Sequence, residues 1–213
     1  MDDIQSWNYM IGMAATVAFA VTAVLAVTDH DIDLFGAVVF GIITAVGGGT
    51  IRDVILDVPV FWSTDLAYIW VAVGASIAAY VARPLFTRHQ TYLFMLYLDG
   101  FGAVLFGIQA SGKVWDLGFG IPLAPVILGV ITAIGGGLMR DVLANRTTLL
   151  MKRELYAIPV MLGCILFSMV LAYFPEQRFV GSIVAIGFSF GLRAAAIHWN
   201  LAIPRWSASK DLK

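Results

Sequence analysis

Two stretches of the sequence set an arginine beside an aspartate shortly after three consecutive glycines. They are Gly47-Gly48-Gly49-Thr50-Ile51-Arg52-Asp53 and Gly135-Gly136-Gly137-Leu138-Met139-Arg140-Asp141. Each motif ends an apolar run, so its charges fall within or at the edge of a hydrophobic segment. An ionisable side chain at membrane depth usually faces a bundle interior or a water-filled path. Aspartates on such a path would favour cations, and the arginines beside them would brace the acids. A glycine in a helix interior costs roughly 1 kcal/mol against alanine, so each triplet predicts a break or kink at a cost of about 3 kcal/mol. Backbone groups freed at that depth are tolerated only inside protein or beside water. The same residues also have a plainer use. Glycines let membrane helices pack closely, and an Arg-Asp pair can anchor a helix end at the interface.

Other polar residues add weaker signals. Thr44 and Thr132 precede the triplets by about one turn and either line the same path or bond back to their own helix. Asp99, followed by Gly100, is the one acid of its apolar segment, and is read either as an interface residue or as part of the path. Arg193 lies deep in the last apolar segment and predicts an acidic partner. His30, His89 and His198 are too scattered for a metal site. Asp29, Asp31 and Asp33 read as a solvated loop. There is no Ser-His-Asp set, phosphate loop or Cys/His metal motif, so neither an enzyme nor a bound cofactor is predicted.

The elements that must hold these charges are membrane helices. Of 213 residues, 60% are hydrophobic and 13% charged, with a net charge of −1 and a mean hydropathy of +0.88. A soluble domain this small could not hide so much apolar surface, and no basic footprint exists for nucleic acid. A span needs roughly 20 apolar residues. Seven fit, at 9–27, 34–51, 66–82, 91–110, 117–139, 155–174 and 179–201, joined by short charged connections. The alternating ten-residue segments of a barrel are absent. Trp7, Trp62 and Trp199 fall at span ends, where aromatic anchors belong. Cys164 is the only cysteine, which excludes an intrachain disulfide. The start Met1-Asp2-Asp3 lacks the basic region of a cleaved signal peptide, so the first apolar segment is read as a helix.

Seven spans put the termini on opposite sides. Lys113 and Arg178 fall on the N-terminal side; Arg83, Arg88, Arg146, Lys152, Arg153, Arg205, Lys210 and Lys213 fall on the other. Basic residues favour the cytoplasm, so the expectation is an outer N-terminus and a cytoplasmic tail over residues 202–213.

The chain also contains itself twice. Residues 41–54 recur at 129–142 with an offset of 88, Phe19 and Ala23 match Phe106 and Ala110 at 87, and Asp65, Leu66, Ile69 and Gly74 match Glu154, Leu155, Ile158 and Gly163 at 89. Three spans per copy is odd, so the second copy (91–174) enters the membrane upside down relative to the first (9–83), the inverted-repeat plan of many transport proteins. The span at 179–201 lies outside the repeat, and the whole is one transmembrane domain. The expected fold is thus an all-α membrane protein of seven transmembrane helices, inverted three-helix repeats plus a seventh.

The doubled Gly-Gly-Gly-x-x-Arg-Asp motif, the seven spans, the inverted repeats and the end of the last span from Arg193 through Trp199-Asn200-Leu201 to Pro204 resemble the prokaryotic branch of the trimeric intracellular cation channel family. The resemblance implies a homotrimer in lipid, with a pore for potassium or other monovalent cations in each subunit, lined by kinked second and fifth helices. Residue by residue it singles out Gly47, Gly48, Gly49, Arg52 and Asp53 with Gly135, Gly136, Gly137, Arg140 and Asp141. A chain without the lysine-rich tail of animal members fits a bacterial inner membrane. A secondary transporter for a small zwitterion such as glycine also needs a polar midplane, and the sequence does not separate the two. Asp53 and Asp141 are each expected near an Arg of their own or of the other repeat; adjacent Arg and Asp point about 100° apart on a helix, so pairing across repeats, Arg52 with Asp141 or Arg140 with Asp53, is geometrically plausible.

Overall fold

The computed structural model describes residues 3–28, 30–85, 88–152 and 155–202. Asp29, Arg153, Glu154 and the tail with Pro204, Arg205, Lys210 and Lys213 lie outside the described residues, as do the side chains of Arg88 and His89. Eight α-helices are described: α1 (Asp3–Ala26), α2 (Leu34–Ile55), the single turn α3 (Phe61–Thr64), α4 (Ala67–Ala82), α5 (Arg88–Asp116), α6 (Leu123–Leu143), α7 (Ala157–Tyr173) and α8 (Arg178–His198). All but α3, α4 and α7 reach 18 residues on their own, and α4 does so with the turn that follows it; these six are long and apolar enough to cross a membrane, whereas α7 is equally apolar but has 17 residues. Helices are the element that satisfies every backbone group in lipid from within the segment. The outward surface stays apolar, with Phe35, Trp70, Val81 and Tyr173 exposed, as a lipid-facing surface must be.

Two groups of three helices pack internally, α1 with α2 and α4, and α5 with α6 and α7. They join through α1 against α5 and α2 against α6, while α8 lies on α5 and α7. The core between the groups is small and apolar, built on Ala15, Phe19, Val104, Phe106, Ile108, Ala133, Val160 and Cys164.

The glycine triplets do not interrupt α2 or α6. Both are continuous α-helix through Gly47–Gly49 and Gly135–Gly137, so the expected break is absent. The reason is packing. The two helices meet at the triplets, where a Cβ on Gly48 would overlap the Thr132 carbonyl and one on Gly136 would overlap the Thr44 carbonyl. Only glycine allows backbone to touch backbone this closely. As the contact moves up α2 from Thr44 to Gly48, it moves down α6 from Gly136 to Thr132, so the helices cross antiparallel. Close backbone packing thus occupies the groups that a break would have exposed.

Element ends also differ from the hydropathy reading. α5 extends to Asp116, which turns Lys113 from a loop residue into a helical one. α6 starts at Leu123 rather than 117, because the intervening turn holds Gly118 and Gly120 at positive φ, 64° and 52°. Asp33 caps α2, its Oδ1 accepting from Gly36 N at 2.7 Å. The ends of α2 and α6 are alike. Asp57 and Asn145 sit at φ 54° and 51°, and the next amides donate back to the Asp53 and Asp141 carbonyls at 3.1 and 2.8 Å. This left-handed cap turns the chain immediately beyond each Arg-Asp pair.

Candidate functional site

The cap explains where each aspartate goes. With the chain folded back, Asp53 Oδ2 accepts from Phe61 N at 2.9 Å and Asp141 Oδ2 accepts from Leu149 N at 3.1 Å, eight residues on in both copies. The other oxygen of each acid takes its own neighbour: Arg52 Nε donates to Asp53 Oδ1 at 2.8 Å, and Arg140 Nε to Asp141 Oδ1 at 2.9 Å. Of the two expected arrangements, pairing within each copy is the one found, and pairing across repeats is not. Sequence neighbours pair because the guanidinium folds back along the helix end, where the turned chain fixes the carboxylate. All four side chains are buried.

Each pair recruits different partners. At the end of α2, Lys113 Nζ donates to Asp53 Oδ1 at 2.8 Å, and the Arg52 guanidinium carbon lies 5.7 Å from the Phe61 ring centroid. At the end of α6, Arg140 Nη1 donates to Asp99 Oδ1 at 2.5 Å and to Thr22 Oγ1 at 3.1 Å. Tyr156 is buried beside this second cluster, with Arg193 Cζ 5.2 Å from its ring centroid and Arg193 Nη1 donating to Leu155 O at 3.1 Å. Lys113 and Asp99 are fourteen residues apart on α5, roughly 21 Å along the helix. The clusters thus sit toward opposite ends of the bundle.

Between them lies an aromatic pair. Phe19 of α1 and Phe106 of α5 stack with ring centroids 5.7 Å apart and an interplanar angle of 18°. Both are buried. Along α1, Phe19 falls between Asn8 and Thr22; along α5, Phe106 falls between Asp99 and Lys113. A cavity of about 300 Å³ reaches from Asn8, Asp116 and Leu117 past Arg52, Phe61, Tyr68, Gln109 and Lys113 down to Phe106.

The remaining sequence candidates divide. Thr44 and Thr132 bond back to their own helices, to Phe40 O at 2.9 Å and Leu128 O at 2.6 Å. Gly47 faces the end of the Met139 side chain, and Gly49 faces the Phe61 ring. Gly135 rests against Gly48 Cα. Gly137 leaves room for polar atoms: a Cβ there would stand 3.0 Å from Tyr156 OH, 3.4 Å from Asp99 Oδ1 and 3.6 Å from Arg140 Nη2. Lys113, Gln109, Thr22, Tyr68 and Tyr156 were not among the expected site residues. The duplication carried a signal for two of them, since Thr22 aligns with Gln109 at offset 87.

Comparison with known proteins decides the family. The family model described as glycine transporter matches residues 9–84 and 96–172, the two stretches that carry the duplication. The UPF0126 inner membrane protein YadS of Escherichia coli strain K12 is 33% identical over 95% of this chain and 98% of its own length. A UPF0126 membrane protein of Vibrio cholerae is also 33% identical, over 95% of this chain and 84% of its own. The solved structure of the trimeric intracellular cation channel orthologue from Rhodobacter sphaeroides superposes with a TM-score of 0.87 at 30% identity, covering 92% of this chain and all of that one. The chain belongs to the trimeric intracellular cation channel family. A second prokaryotic channel of this family, solved in 0.5 M KCl, gives a TM-score of 0.85 at 25% identity over 93% of this chain and all of that one. As a member of the family the chain is an integral membrane protein and not an enzyme.

Proposed function

We propose that the protein is a monovalent cation channel, chiefly for potassium, with one path in each subunit of a homotrimer in a bacterial inner membrane. The observation that carries this reading is the pair of buried Arg-Asp clusters at opposite ends of one helix crossing, separated by a stacked aromatic pair. Charged groups at membrane depth are costly and mark ion paths by default. Asp53 and Asp141 supply negative charge along the path, and Arg52 and Arg140 keep it weak enough for ions to leave. Gly137 lets Asp99 and Tyr156 face the same space. Solved relatives named as cation channels support the reading, and the trimer comes from that resemblance.

The same reading takes α1, α2, α4, α5, α6, α7 and α8 as seven spans and the two three-helix groups as inverted repeats. The reciprocal contacts of Gly48 with Thr132 and Gly136 with Thr44 are those an inverted duplication produces. It places the N-terminus outside and the C-terminus in the cytoplasm, following the basic residues.

Phe19 and Phe106 close the path by excluding water, as hydrophobic constrictions do. Phe106→Ser should therefore raise open probability in planar bilayers. Unchanged or lower flux from a variant that elutes as the intact oligomer places the constriction elsewhere. The decisive experiment for the function is single-channel recording under potassium, sodium and chloride gradients. Discrete steps reversing near the potassium potential are expected. A second reading, a carrier for a small zwitterion, draws on the side cavity at Arg52 and Lys113; it requires saturable glycine uptake without steps.

A further inference from the structure

The two copies of the repeat differ in charge at matched positions. Offset 87 pairs Lys113 with Ala26 and Asp99 with Gly12. The cluster at α2 therefore holds two cations, Arg52 and Lys113, against one acid, Asp53. At the α6 cluster one cation, Arg140, is bonded to two acids, Asp99 and Asp141, with the buried Arg193 beside them at Tyr156. The first cluster is net positive, and it is the one that opens into the cavity of about 300 Å³. That volume is at the lower end of the range for ligand sites, about 300–1,000 Å³.

Both oxygens of Asp53 are already used, by Arg52, Lys113 and the Phe61 amide. Among the described residues no hydrogen bond forms to Arg52 Nη1 or Nη2, and the ammonium of Lys113, whose side chain is one-third exposed, has donors to spare. A planar guanidinium edge beside an ammonium is the donor set for a carboxylate. The Tyr68 and Phe106 rings also line the cavity and can accept an ammonium, whereas the carboxylate of Asp116, in the same lining, is taken by both Nη atoms of Arg178.

We propose that this cavity is a binding site for a small carboxylate ligand, held by Arg52 and Lys113. The ligand is a simple monocarboxylate or the carboxylate end of a small amino acid. The site rests on the reading of the α2 cluster as the mouth of the ion path. Binding is read at equilibrium without a membrane potential, so its failure is distinct from a failure to conduct.

The test is calorimetric titration of the full-length protein in detergent, at constant ionic strength, with acetate, glycine, methylammonium and chloride. Acetate or glycine should saturate below about 100 mM, the range that captures a millimolar site. Acetate as the tighter ligand identifies a plain anion site; glycine as the tighter ligand shows that the ammonium is read as well. Lys113→Met should weaken the binding about tenfold or more, the scale of one charge-assisted hydrogen bond, while Lys113→Arg retains it. If Lys113→Met does not fold, Leu117→Trp, at a half-exposed position on the cavity rim, should block binding without altering charge. Lys152→Met, at a lysine bonded instead to Tyr92, should bind as the wild type does. The proposal is overturned by no saturable binding of either carboxylate, by methylammonium or chloride binding as tightly, or by unweakened binding to folded Lys113→Met or Leu117→Trp protein.

Discussion

Gly48→Ala should lower the thermal midpoint of the purified protein, although alanine is the better helix former. Two effects of opposite sign compete. Helix propensity favours alanine by roughly 1 kcal/mol. Against this, the added methyl would overlap the Thr132 carbonyl oxygen, a backbone atom of α6 that no rotamer change can move. Overpacking a tight contact typically costs about 1–3 kcal/mol and sometimes more. Here the whole crossing of α2 and α6 must open, so the clash should win. Gly136→Ala should behave alike, because its methyl would meet the Thr44 carbonyl in the reciprocal contact. Gly74→Ala is the internal control. Nothing lies within 4 Å of a Cβ there, so only the propensity gain remains and stability should rise. Midpoints measured in detergent by intrinsic fluorescence decide the matter. A Gly48→Ala protein as stable as the Gly74→Ala protein would show that the crossing is not set by glycine.

That prediction follows the packing use of the triplets and not the break. Three glycines in a row have the composition of a helix break, and helix propensity alone gives no other answer. What propensity omits is a partner helix bearing its own triplet in the antiparallel sense. The duplication contained that information, since it supplies a second glycine-rich segment, and the two meet at matched positions, Gly48 at Thr132 and Gly136 at Thr44. The helices themselves were legible because lipid leaves few alternatives for an apolar segment of this length. The Arg-Asp pairs were legible as charges held within or at the edge of apolar segments, and they are buried. Their partners were not. Lys113 was hidden because a lysine near an apolar boundary looks like a loop charge, and hydropathy averaging does not see that α5 runs to Asp116. The choice between own-repeat and cross-repeat pairing was left open by treating the end of α2 as ideal helix. In fact the left-handed residues Asp57 and Asn145 turn the chain so that an amide eight residues on fixes each carboxylate. An Asp and an Asn at matched offsets, the residue types that tolerate positive φ, were the available clue.

Arg140→Gln should be far more damaging than Arg52→Gln, although the two arginines are copies of one motif. Arg140 is fully buried and donates to both Asp99 and Asp141, which are themselves buried. Removing the cation leaves two carboxylates in a low-dielectric site without the group that bonds them both. Breaking a buried ion pair from one side costs about 3–5 kcal/mol, because the remaining charge is stranded. Glutamine keeps some hydrogen-bonding capacity, so the loss should fall toward the lower end of that range, still enough to deplete the folded oligomer. Arg52→Gln leaves Asp53 with Lys113 and the Phe61 amide still bonded, beside a cavity that admits solvent. Its cost should be about 1 kcal/mol, that of an ordinary lost hydrogen bond. The order can be read from thermal midpoints and from the fraction eluting as intact oligomer. Adding Asp99→Asn to Arg140→Gln removes one stranded charge and should recover part of the loss. The same Asp99→Asn change alone in the wild type should be neutral or destabilising. A positive coupling between the two changes in such a cycle assigns the cost to the unpaired carboxylate. Equal damage from the two arginine variants, or no recovery in the double variant, would mean that the charge difference between the clusters has no energetic weight. Flux is then the separate question. On the channel reading proposed above, intact Arg52→Gln protein should conduct more cations than wild type, because the change lowers the positive charge at the α2 cluster while leaving Asp53 in place.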